Sequence, residues 1–97
     1  MPAYLIMDID WHDPDRATEY RKLLGPTLEK HGGRTLVANE PHTLEGDWSP
    51  RRVVIIEFPS LDALRDWYGS DDYAPLIRIR KEGAKSSMIA VERPPVV

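Results

Sequence analysis

The sequence predicts an α+β domain: a four-stranded antiparallel sheet with its helices on one face. Three observations carry this. Four segments show strand patterning, two long intervening regions show helical spacing, and their order gives two split βαβ units. With 97 residues, 41% of them hydrophobic and 30% charged, the chain has the length and balance of one globular domain spanning 1–97.

From Tyr4 to Asp10 the chain alternates, with Leu5, Met7 and Ile9 on one side and Tyr4, Ile6 and Asp8 on the other, the period of a first strand. Asp13-Pro14 supplies a helix start: the carboxylate accepts from an orphan amide, and proline at the first helical position needs no partner. Ala17, Tyr20, Leu24, Leu28 and His31 recur at threes and fours, so a helix runs from about Pro14 to His31, kinked or divided at Gly25-Pro26. Gly32-Gly33 ends it, and Arg34 to Glu40 reads as the second strand.

Glu40 to Pro50 contains Pro41, Gly46 and Pro50, a connection long enough for a small hairpin around Thr43 to Trp48. Arg52 to Phe58 is dense in β-branched residues and closed by Pro59, a third strand. Ser60 caps the next helix, whose Leu61, Leu64, Trp67 and Tyr68 share a side before Gly69 stops it. Ser70-Asp71-Asp72 restarts a helical segment with Tyr73, Leu76, Ile77 and Arg80 inward or flanking, ending near Gly83. Ser87 to Glu92 is the last strand, terminated by Pro94-Pro95.

The βαββαβ order is that of the ferredoxin-like architecture. It leaves one sheet face bare, carrying Tyr4, Ile6, Val37, Val53 and Ile55, a patch too apolar to stay wet. The expected partner is a second copy, a homodimer with its sheets packed face to face. Strands one and three should be antiparallel neighbours. With Ile6 opposite Ile55, Tyr4 falls opposite Glu57, which leaves Asp8 about 13 Å along the sheet from Glu57 and excludes that acid-base pair.

Thirteen lysines and arginines against sixteen acidic residues give a net charge of -3, with no positive excess for phosphate backbones or anionic lipid, so neither nucleic acid nor membrane is an expected partner. No apolar run approaches the ~20 residues of a membrane span, and no basic leader precedes the first apolar stretch, so a cytoplasmic location is expected. The absence of cysteine excludes disulfides, thiolate metal sites and a cysteine nucleophile. No GxSxG elbow and no phosphate-binding glycine loop is present, which argues against hydrolase and nucleotide chemistry.

Asp8, Asp10 and His12 alternate, but the turn at Asp13-Pro14 takes His12 off the strand, and His42 has no second histidine at ligand spacing, so no metal and no cofactor is expected. His31 follows the inner stripe of the first helix and reads either as a catalytic general acid or base or as a helix-end cation favoured by the dipole. Trp67 and Tyr73, near Tyr20, read as core or as the wall of a pocket for a flat ligand. Arg51, Arg52, Arg78, Arg80 and Lys81 read as solvated charges. Glu57 interrupts the most apolar strand. With Arg34 it would form a structural ion pair; with Tyr4 alone it would be a candidate catalytic acid or base.

The runs Gly32-Gly33-Arg34, Leu44-Glu45-Gly46 with Trp48, Arg52-Val53-Val54 leading to Glu57-Phe58-Pro59-Ser60, and Trp67-Tyr68 followed by Ser70 and Tyr73 resemble the family catalogued as domain of unknown function 1330, in the dimeric α/β barrel superfamily. The likeness covers nearly the whole chain. It departs from the family after strand two, where Asn39-Glu40-Pro41 stands in place of a glycine-rich turn. The resemblance implies a dimeric α/β barrel and a superfamily that includes cofactor-free monooxygenases and lactone isomerases. The function expected from it is binding of a small molecule, with proton transfer on a small apolar or aromatic carboxylic acid or lactone. The alternative is a noncatalytic dimeric binding or interaction module.

Overall fold

The computed structural model describes residues 1–94. The elements are β1 (Ala3–Trp11), α1 (Pro14–Lys30), β2 (Arg34–Asn39), β3 (Val53–Phe58), α2 (Leu61–Tyr68), α3 (Ala74–Gly83) and β4 (Ala84–Glu92). The four strands form one antiparallel sheet in the order β2-β3-β1-β4. Tyr4 pairs with Glu57, Ile6 with Ile55 and Asp8 with Val53, the register that follows once Ile6 stands opposite Ile55.

Period-two alternation sends Ala3, Leu5, Met7 and Ile9 of β1, with Val54, Ile56 and Phe58 of β3, beneath the helices, where all are buried. Tyr20 and Leu28 of α1, Leu64 and Trp67 of α2, and Leu76 and Ile79 of α3 close over them. Asp13 caps α1 by accepting from the amides of Asp15 and Arg16, and Ser60 caps α2 by accepting from Ala63. Gly33 lets β2 leave α1 against the core: a Cβ there would lie 2.7 Å from the Phe58 ring.

The structure differs from expectation in four places. α1 is not divided at Gly25-Pro26 but runs through as one helix, on a turn where Lys22, Gly25 and Pro26 are all exposed residues, so the hydrogen bond proline forgoes is lost at the surface. The segment from Glu40 to Arg52 forms no paired strands. Its contacts are single bonds, such as Trp48 Nε1 donating to Asp8 Oδ2 at 3.2 Å, which do not build a ladder. β4 begins at Ala84, three residues before the expected Ser87, since α3 passes directly into the strand and β4 follows all of β1 as far as Trp11. It ends at Glu92; Pro95 lies outside the described residues. Arg80 is buried, and its place is given below with the site.

β2 carries a bulge between Thr35 and Val37, so Leu36 has no partner on β3 and both Leu36 and Val37 are exposed. Thr35 and Ala38 still pair with Ile56 and Val54, which places them on the helix side. α1 lies towards this edge strand, and the space left between them is the cleft described next.

Candidate functional site

A cleft of about 240 Å³ lies between α1 and the helix side of β1, β2 and β3. Met7, Ile9, Leu24 and Val54 supply an apolar floor, with Thr35 and Ala38 from the edge strand. Trp11 and Tyr20, their ring centroids 5.4 Å apart, form the inner wall. Two cationic side chains border the same space, the exposed Arg21 and the half-buried Arg52. Larger depressions of about 440 and 280 Å³ lie between α1 and α3 and between α2 and β4. The first is flanked by Lys30 and Asp72, which pair, and neither touches Tyr20.

Behind the wall is a buried polar network. The hydroxyl of Tyr20 lies 2.6 Å from that of Tyr73. Burial pushes the Tyr20 phenol far above its ordinary range, and Tyr73 adds to the shift. Burial also raises Tyr73, against opposing pulls from Tyr20 and Arg80, so both stay neutral phenols at physiological pH. Arg80, read from the sequence as solvated, is only 5% exposed. Its α3 position, four residues after Leu76, carries it inward with the apolar stripe. One guanidinium nitrogen donates to Ser86 Oγ at 2.6 Å, Nε is buried without a partner, and no carboxylate pairs with it among the described residues. The Tyr20 and Tyr73 hydroxyls also face it, but no anion offsets its charge, and a buried cation without one is costly. Arg80→Met is therefore expected to raise the unfolding free energy, by about 1–3 kcal/mol, in urea titrations. A loss of stability would mean instead that the bond to Ser86 outweighs desolvation.

The residues singled out in the sequence fall in three places. Glu57 and Arg34 meet on the open sheet face: Arg34 Nε donates to Glu57 Oε1 at 2.9 Å and Nη2 lies 2.8 Å from the same oxygen, the geometry of the ion pair. Tyr4 stands opposite Glu57 on that face. His31 caps the C-terminus of α1, half-buried, with Nε2 buried and unpartnered. Trp67 and Tyr73 are 0% exposed, in the core, with ring centroids 3.9 Å apart. Only Tyr20 borders the cleft. Arg21 and Arg52 were missed as cleft residues. The available signal was position, since Arg21 follows Tyr20 on α1 and Arg52 precedes the buried strand β3.

These features define a ferredoxin-like α+β protein with a lateral apolar cleft backed by a tyrosine pair. The chain belongs to the family known as domain of unknown function 1330, whose profile matches residues 2–94. It is similar to a solved protein of unknown function from Rhodopseudomonas palustris at 21% identity, over 98% of this chain and 84% of that one, with a TM-score of 0.74. A dimeric ferredoxin-like protein of unknown function from Jannaschia sp. CCS1 is 12% identical over 96% of this chain and 100% of its own, with a TM-score of 0.74. The cofactor-independent oxygenase SnoaB from Streptomyces nogalater is 12% identical over 99% and 96%, with a TM-score of 0.70. No curated protein matches the chain. Among the described residues, no helix is long and apolar enough to cross a membrane.

Proposed function

We propose that this protein is a homodimeric small-molecule-binding α/β barrel that takes a small apolar or aromatic carboxylic acid or lactone into the cleft between α1 and the sheet. There it promotes proton transfer without a cofactor. The observation that carries the reading is the cleft itself, apolar, ring-sized and walled by a phenol that burial keeps protonated. The dimeric state of a structural neighbour and the cofactor-independent chemistry of another agree with it.

In this reading Tyr20 is the donor. Its hydroxyl rests against Tyr73 behind the cleft wall and must turn from that partner into the cleft, where it would donate a hydrogen bond to negative charge growing on a substrate oxygen. The cleft lining holds no carboxylate or imidazole, so solvent water entering the open cleft takes the C–H proton, and the residues of the lining stabilise the oxyanion left behind. Glu57, tied to Arg34 outside the cleft, and His31, at the end of α1, stand apart from this chemistry and hold structural positions. A noncatalytic binding module is the second reading, favoured by the engagement of Tyr20 with Tyr73, which gives its hydroxyl a fixed partner.

A thermal-shift screen of small aromatic acids and lactones tests the binding. A ligand at a hundred times its dissociation constant is expected to add about 2.7 kcal/mol, and Leu24→Trp, which fills the cleft, is expected to abolish the shift. Hits that persist in Leu24→Trp would place the ligand elsewhere. For hits with a C–H beside a carbonyl, exchange in D2O followed by NMR is expected to slow about 10²-fold in Tyr20→Phe. Exchange equal to that without protein would leave the binding module.

A further inference from the structure

We infer that the cleft is built for an acid, with Arg21 and Arg52 holding the ligand's carboxylate between them; this rests on the cleft being the ligand site. The two arginines come from separate elements, α1 and the residue ahead of β3, yet border one space. Among the described residues neither takes part in an ion pair, those present being Arg16–Glu82, Lys30–Asp72 and Arg34–Glu57. The chain carries more acidic than basic residues, and none of the acidic ones lines the cleft. Two cationic residues thus border one apolar space, with no acidic residue in its lining to offset them. An anion bound there would pair with both.

Guanidinium groups match a carboxylate with paired donors. Both bases are also well anchored. Arg21 lies within a 17-residue helix, and the Arg52 carbonyl accepts from the amide of Ile9 at 3.0 Å, tying its backbone to β1. The floor of Met7, Ile9, Leu24 and Val54 offers nothing to a second charged group, which favours a ligand with one anionic end and an apolar body over a phosphate ester. A lactone would leave both cations unpaired.

The probes are benzoate, its neutral analogue benzamide and the aromatic lactone phthalide, titrated into the ¹⁵N-labelled full chain at low salt. The reporter is the indole N–H of Trp11, assigned through Trp11→Phe. Benzoate is expected to bind at least tenfold tighter than either neutral probe. Arg21→Gln and Arg52→Gln are each expected to weaken benzoate about tenfold and leave benzamide unchanged, the double variant having no preference. Equal affinity for the three probes, with Trp11 perturbed, would overturn the acid assignment and leave the cleft reading intact. A Trp11 signal unmoved by all three would overturn the cleft reading itself.

Discussion

Trp67→Ala is expected to destabilise the protein by about 3–5 kcal/mol, a large part of the roughly 5–15 kcal/mol that a domain of this size has in total. Trp67 has no solvent exposure and joins four elements. Its ring lies 5.3 Å from that of Phe58 on β3 and 3.9 Å from that of Tyr73 at the start of α3, and its Nε1 donates to Thr27 Oγ1 on α1 at 3.0 Å. Truncation removes all of these at once, and the sheet beneath is too rigid to close the cavity. Urea unfolding should show a lower midpoint with an unchanged slope. Trp67→Phe, which keeps most of the volume, should lose much less. A loss below about 1 kcal/mol for the alanine variant would show that α2 is not the keystone of the helix layer.

Ile55→Asp is expected to convert the proposed dimer to a folded monomer. Ile55 sits on the open face between Ile6 of β1 and Val37 of β2, outside the core, so the fold itself does not depend on it. The same patch includes Ile89, 59% exposed, which pairs with Ile6. A carboxylate placed in a dry sheet-to-sheet interface costs several kcal/mol, and two-fold symmetry imposes it twice, so the dissociation constant should rise by about 10³-fold or more. Light scattering at micromolar concentration should give the monomer mass, with an unchanged far-UV circular dichroism spectrum. A dimer mass would move the interface to another surface. One feature of this face concerns the connection after β2. Leu44 is 95% and Trp48 64% exposed, and Trp48 reaches Asp8 on the open face, so this segment flanks the surface on which the second copy is expected to dock.

What the sequence determined by itself was the architecture and the side on which each residue lies. Alternation in β1 and β3 is enough to separate Leu5, Met7 and Ile56 from Tyr4, Ile6 and Ile55, and with Ile6 set opposite Ile55, as the structure has it, Tyr4 falls opposite Glu57. Helical spacing likewise took Tyr20, Trp67 and Tyr73 inward. The Arg34–Glu57 pair was within reach because neighbouring strands were known from the βαββαβ order.

Only the tertiary structure decided which buried residues share a space. Periodicity gives a direction from an element's axis and says nothing about the gap left between that element and its neighbour, and the cleft is such a gap, under α1 at the bulged edge strand. Arg80 shows the same division. Its spacing from Leu76 placed it inward, its charge argued for solvent, and the packing of α3 on the sheet settled the matter in favour of spacing. Backbone geometry fixes where a helical side chain starts, whereas the cost of burying a guanidinium depends on Ser86, Tyr20 and Tyr73, groups that come near it only once the chain has folded.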